Sequence, residues 1–208
     1  MERTMSKRIN RDDVDKLYDY DLYIPSRTIY MGSTESSLEF GESGVETTMA
    51  ERIIKALLLL DQKNEPITII MNNPGGDWYH GMAIYDAIKG CQSHVTIKVY
   101  GMAMSMGAVI LQAADKRVMA PNARFMVHYG SQAMREVHAK VFESWGEESK
   151  QLNIEMENIF LAKIREKHPE FKLGALKKYL DYDTIWSAKE TINMGLADAI
   201  VGEEEEHG

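Results

Sequence analysis

Between Arg27 and His128 the sequence switches repeatedly between two hydrophobic periods, and this restricts the possible folds more than any other feature. Ile67 to Met71 is a β-branched run too short for a helix, so it reads as a buried strand. Ahead of it, Val45, Met49, Ile53, Ala56, Leu57 and Leu60 recur three and four apart, which places them on one helix face that ends before Asn64 and Pro66. Arg27 to Gly32 precedes that helix as a short strand, and the Gly-, Ser- and Glu-rich stretch Ser33 to Gly44 reads as a loop. The pattern continues with a helix through Met82, Ile84, Tyr85 and Ile88, a strand His94 to Tyr100 and an apolar helix Ala103 to Ala114. Strands follow at Arg117 to Met119 and Phe125 to His128. Strands separated by helices need crossover connections, so the expected fold is α/β with a largely parallel sheet covered on both faces.

From Met134 to Lys167 a single helical pattern carries Val137, Val141, Trp145, Leu152, Met156, Ile159 and Ile164 near one face, ended by His168 and Pro169. A compact domain seldom needs so long a helix, and a projecting one packs on a partner. Short helices Leu173 to Leu180 and Ser187 to Met194, then a strand Ala197 to Val201, complete the pattern. No sequence repeat or low-complexity linker divides the chain, and 208 residues can bury one sizeable core. Met1 to Asp21 lacks the apolar run of a secretory signal, and Ala103 to Ala114 is too short to cross a bilayer, so a cytoplasmic location away from membranes is expected. The lone Cys91 cannot form an intrachain disulfide, which a reducing compartment permits. A net charge of −8 argues against a broad phosphate-binding face and hence against nucleic acid as a partner. Glu203 to Glu206 begin a self-repelling acidic tail.

Three segments carry chemistry. In Gly101 to Gly107 (GMAMSMG), Ser105 stands between a strand end and an apolar helix, where free backbone N–H groups and the helix dipole favour an oxyanion. Ser105 reads either as a nucleophile or as a helix cap. Asn73-Pro74-Gly75-Gly76 follows a strand and precedes a helix, so its backbone can face a ligand or simply turn. His128, at a strand's C-terminal end, is positioned to be the base for Ser105. The remaining histidines have no metal-ligand spacing or cysteine partner, so no metal site is expected. A carboxylate to orient the imidazole could be Asp181, Asp183 or Asp198, and spacing does not choose among them.

Five ordered stretches together resemble the Clp protease proteolytic subunit (ClpP) family. They are Asn72 to Gly76 (NNPGG), Gly81 to Ile88 (GMAIYDAI), Gly101 to Ala108 (GMAMSMGA), Ala120 to His128 (APNARFMVH) and Asp183 to Asp198 (DTIWSAKETINMGLAD). The resemblance implies a ClpP/crotonase-like superhelix of βαβ units with a projecting handle helix. It implies a divergent N-terminal segment over 1–24, a peptidase domain over 25–202 with the handle at about 134–167, and an acidic tail over 203–208. It assigns Ser105, His128 and Asp183 to a serine peptidase triad and the N–H groups of Gly76 and Met106 to the oxyanion hole, while Asp198 matches a structural position. It further implies stacked heptameric rings enclosing a chamber, polypeptide substrates, no cofactor in this chain, and a separate AAA+ unfoldase that uses ATP.

The sequence departs from the family pattern at several points. Tyr129 to Met134 (YGSQAM) replaces the usual Q-P-x-G-G, and Ala114 to Arg117 shortens the hairpin before the histidine strand. Ile67 to Met71 lacks the aromatics of the unfoldase-docking pocket, another of which aligns near Gly90, and Met1 to Tyr23 is unlike the pore-lining segment. Two competing expectations are a divergent or non-catalytic ring subunit and a crotonase-like acyl-CoA enzyme. The latter needs positioned Glu or Asp in its pocket, whereas this chain has a serine and a strand-end histidine.

Overall fold

The computed structural model describes residues 10–32, 44–130 and 138–203. Residues 1–9 of the N-terminal segment, 33–43 of the expected loop, 131–137 including the expected helix start at Met134, and 204–208 of the acidic tail lie outside the described residues. The fold is α/β, as the alternating periods imply. Its elements are α1 (Arg11–Tyr20), β1 (Leu22–Tyr23), β2 (Thr28–Met31), α2 (Thr47–Leu60), β3 (Ile67–Asn73), α3 (Trp78–Lys89), β4 (Val95–Met104) and α4 (Met106–Leu111). They are followed by β5 (Lys116–Met119), β6 (Arg124–Val127), α5 (Ala139–Lys167), α6 (Leu173–Leu180), β7 (Thr184–Ser187), α7 (Ala188–Met194) and β8 (Ala199–Ile200).

One sheet runs in the order β1-β2-β3-β4-β5-β8, and β6 and β7 branch from it. The pairings are parallel except β1 with β2 and β6 with β7. The branch arises within β4, whose first half pairs with β5 through Thr96 to Val99 and whose second half pairs with β6 through Met102 to Met104. Gly101 lies at the junction with φ +84, and a Cβ there would meet Asn72 Oδ1 at 2.4 Å. Only glycine accepts both the left-handed backbone and that approach.

Three expectations change. β4 extends to Met104, so Ala103 and Met104 belong to a strand, and the helix expected from Ala103 to Ala114 shrinks to six residues. The reason is tertiary: ladder bonds to β6 hold Met102 to Met104 extended despite their apolar, helix-compatible sequence. The polar start contains α1, which Asn10 caps and Asp12 and Asp13 favour electrostatically. The sheet is also less covered than expected. Ile67, Ile69 and Met71 are fully buried, as are Val95, Ile97 and Val99, but the alternate positions Ile70 and Lys98 are half-buried and Tyr30 and Tyr100 are exposed.

The long helix α5 has 29 residues and so spans about 43 Å at ~1.5 Å per residue. Its second half packs on the body through Met156, Phe160, Leu161 and Ile164, while Val141, Phe142 and Trp145 in its first half are exposed. Phe125 on β6 anchors this junction, stacking on Trp186 of β7 and meeting Phe160 of α5 edge-on.

Candidate active site

The parallel pairing of β4 with β6 brings Ser105 and His128 together. The ladder ends at Met104 opposite Met126, and the Ser105 N–H then donates to the Met126 carbonyl at 2.9 Å. Beyond that bond β4 turns sharply into α4, with Ser105 at φ 52 and ψ −120. A non-glycine residue in this region is strained, and such strain is maintained where surrounding structure fixes it. Ser105 precedes the first turn of α4, yet its side chain makes no capping hydrogen bond. Its hydroxyl instead lies 2.8 Å from His128 Nε2. Ser105 thus holds the N-cap position of α4 through its backbone carbonyl, which accepts from the Ala108 and Val109 N–H groups, while its side chain is turned to His128.

The antiparallel pairing of β6 with β7 supplies the carboxylate. Val127 faces Thr184, and extending that register by one residue sets His128 beside Asp183. His128 Nδ1 and Asp183 Oδ1 are 2.8 Å apart. Asp183 is largely exposed, with its side chain at 72% of full accessibility, against 25% for His128. The other two candidates are elsewhere. Asp198 Oδ2 accepts from the backbone N–H and Nε of Arg117, whose guanidinium also binds Gln112 Oε1 and the Gly195 carbonyl. That buried cluster joins β5 to the chain end and explains why Asp198 has a structural position. Asp181 follows α6 and is exposed.

Gly75 and Gly76 lie against these groups. Asn73, fully buried, accepts the Gly75 N–H at 2.9 Å and shapes the turn. Gly75 has φ +108, and a Cβ there would come within 2.6 Å of Ser105 Cβ. Gly76 has φ +142 and bridges to Val45, whose backbone N and O would each sit 2.4 Å from an added Cβ. Gly76, Met106, Ser105 and His128 line one cavity of about 200 Å³. Its other walls are Asp77, which caps α3, Trp78 and Tyr79 from α3, Val109 from α4, Gly130, and Ser149, Leu152, Asn153 and Met156 from α5. Tyr79 donates its hydroxyl to Glu148, fastening α3 to α5 above the cavity. Trp78, Met106, Val109, Leu152 and Met156 give the cavity an apolar portion, and Asp77, Ser105, His128, Ser149 and Asn153 supply polar groups.

The remaining described histidines have other tasks. His80 bonds Thr47, His138 caps α5, and His168 bonds the Asn193 carbonyl, while His94 lies 3.8 Å from Asp115 and His207 is outside the described residues. Among the described residues no group of three or more His, Cys, Asp or Glu is placed to hold a metal ion, and no helix is long and apolar enough to cross a membrane. Cys91 lies away from the cavity, and burial pushes its thiol up to about 11, so it stays protonated near neutral pH.

The Clp protease family profile matches residues 28–204. The chain belongs to the Clp protease family. It is 33% identical over 195 residues to an ATP-dependent Clp protease proteolytic subunit of Deinococcus radiodurans, covering 90% of this chain and 88% of that protein. It is 29% identical over 191 residues to a protein of the same description from Carsonella ruddii, covering 88% and 87% respectively. Among solved structures, a ClpP1 mutant from Listeria monocytogenes aligns with a TM-score of 0.70 at 27% identity, covering 85% of this chain and 92% of that one. This family member thus has the ClpP fold expected from the five ordered stretches.

The strand β7 was not legible in the pattern, although Thr184-Ile185-Trp186 is a short run with strong β-propensity. Tyr129, which the sequence marks only as a departure from the family pattern, donates its hydroxyl to Glu157 of α5 at 2.5 Å, a bond between distant residues that no local pattern signals.

Proposed function

We propose that the chain is a serine endopeptidase in which Ser105, His128 and Asp183 form the catalytic triad. The observation that carries this reading is the continuous run of short hydrogen bonds from the Ser105 hydroxyl through both nitrogens of His128 to Asp183. His128 Nε2 takes the hydroxyl proton as Ser105 Oγ attacks a peptide carbonyl, and Asp183 holds the imidazole tautomer and stabilises the imidazolium. The tetrahedral oxyanion is received by the N–H groups of Gly76 and Met106, both of which line the cavity. His128 then returns the proton to the leaving amine, and water hydrolyses the acyl-enzyme by the same route. This chemistry requires no cofactor in the chain.

The apolar walls formed by Val109, Leu152 and Met156 suit an apolar side chain of the substrate next to the cleaved bond. An acyl-CoA hydratase or isomerase would need a free carboxylate at this cavity. Among the described lining residues the one carboxylate is Asp77, whose Oδ1 accepts the His80 N–H as the cap of α3, and the hydrogen-bonded Ser105 and His128 in the same cavity favour the peptidase reading over it.

The proposed working form is a ring assembly, of two stacked heptamers, acting on unfolded polypeptides in the cytoplasm. The exposed Val141, Phe142 and Trp145 on the first half of α5 support an interface there. An ATP-using AAA+ unfoldase is the proposed partner. Although β3 lacks the aromatics common in the family, Tyr30 on β2 and Tyr100 on β4 present aromatic rings on the open face of the sheet. Replacing Ser105 by alanine tests the enzymatic reading: peptide cleavage is expected to vanish while the native mass of the assembly is unchanged. An alanine variant that still cleaves peptides would overturn it.

A further inference from the structure

Tyr129 immediately follows His128 and is held in two directions. Its backbone N–H donates to the Leu180 carbonyl at 2.7 Å, at the end of α6 and three residues before Asp183. Its hydroxyl donates to Glu157 Oε1 on α5 at 2.5 Å. Glu157 is 5% exposed, and its other oxygen lies 3.3 Å from Lys177 Nζ on α6. One residue therefore links the histidine strand, the segment that carries the carboxylate, and the helix that walls the cavity. Glu157 is adjacent to Met156 and one turn from Asn153, both cavity-lining residues.

Stability alone gives little reason for this arrangement, because a buried ionic cluster seldom outperforms apolar side chains of similar volume. Such a cluster can still fix a geometry, since an unpaired buried carboxylate is costly and the phenol has a single low-energy position opposite it. Burial, the hydrogen bond to Glu157 and the nearby negative charges of Glu157 and Asp181 all raise the Tyr129 hydroxyl's pKa, so it remains a donor. Tyr129 also stands at a position where the sequence departs from the family pattern, which has glutamine after the histidine.

We propose that Tyr129 and Glu157 are a positioning pair that holds His128 against both Ser105 and the α5 wall of the cavity. The inference rests on the serine peptidase reading and deepens it. Neither residue touches the reacting atoms. Their effect is on the placement of the imidazole, and a displacement of about 1 Å in such a group can cost up to about a hundredfold in rate.

The test is a double-mutant cycle on the full chain with Tyr129→Phe, Glu157→Met and both together. Peptide-cleavage kcat and KM are normalised to sites titrated with a serine-reactive phosphonate, so that misfolded material does not count. Each single variant is expected to lose about tenfold in kcat with KM within about twofold, and the double variant is expected to lose no more than the larger single loss. Glu157→Met removes the buried charge along with the bond and so guards against a variant that fails only because it is unstable. Single variants within twofold of the wild-type kcat per titrated site, or losses that multiply in the double variant, overturn the pair. A wild-type chain that neither labels nor cleaves removes the peptidase reading, and this inference with it. A wild type that labels and cleaves, beside an unaltered Tyr129→Phe, removes the inference alone.

Discussion

Asp183, the proposed triad carboxylate, is largely exposed, and its exposure sets the size of the effect expected on neutralising it. In Asp183→Asn the side chain keeps its shape, but the charge facing the imidazolium is lost. Two unit charges about 4 Å apart interact by about 1 kcal/mol in water and about 4 kcal/mol at the effective dielectric typical of a protein surface. Those limits correspond to rate losses of about 5-fold and about 1,000-fold. With the Asp183 side chain at 72% of full accessibility, solvent and salt screen much of the interaction, which selects the lower part of the range. We expect kcat to fall about 10- to 100-fold in Asp183→Asn, with Asp181→Asn within about twofold of wild type. The assay is steady-state cleavage of a fluorogenic peptide, with active sites titrated in each variant. An Asp183→Asn enzyme retaining more than half its kcat would refute the assignment, as would a larger loss in Asp181→Asn.

Other perturbations probe separate parts of the account. Gly75→Ala places a methyl group 2.6 Å from Ser105 Cβ on a backbone with φ +108, so phosphonate labelling of Ser105 should slow at least about tenfold, as followed by intact mass. Phe160→Ala removes the edge-on partner of Phe125 from a fully buried site and should cost about 3–5 kcal/mol in chemical denaturation, measured as a shift in midpoint. Cys91, with its thiol pushed up to about 11, should be alkylated about a hundredfold more slowly at pH 8 than a thiol of ordinary pKa near 9, because only the thiolate reacts. The sign follows from the raised value: reactivity should climb as pH approaches 11 and be nearly absent below pH 8.

Much of the fold was readable because hydrophobic period separates strand from helix where segments are long. The α2 face, the β3 run and the boundaries of α6 follow directly from such patterns. Where long-range pairing overrides local preference, the pattern misleads. Met102 to Met104 would suit a helix, yet β6 recruits them into β4, and the six-residue helix that follows begins only after the strained Ser105. For the site, the alternation marks His128 at a strand end, whereas the apolar pattern runs its helix through Ser105 and only the extension of β4 puts that residue at a boundary. The carboxylate is different, because Asp183 meets His128 only through the antiparallel register of β6 with β7, and a four-residue strand leaves little periodicity to detect. Proximity in sequence left Asp181, Asp183 and Asp198 equivalent until family resemblance separated them. The Tyr129 to Glu157 bond had no local signal at all, since it joins residues 28 positions apart on a strand end and a long helix.

The central claim is that Ser105 is an activated nucleophile rather than a turn residue. Its most direct test is to treat the native protein with a fluorophosphonate, digest it, and locate the adduct by peptide mass mapping. The account predicts one adduct per chain, on Ser105, abolished by His128→Ala and by prior unfolding. An adduct on a different residue, or a native chain that cleaves peptides without being labelled, would contradict it.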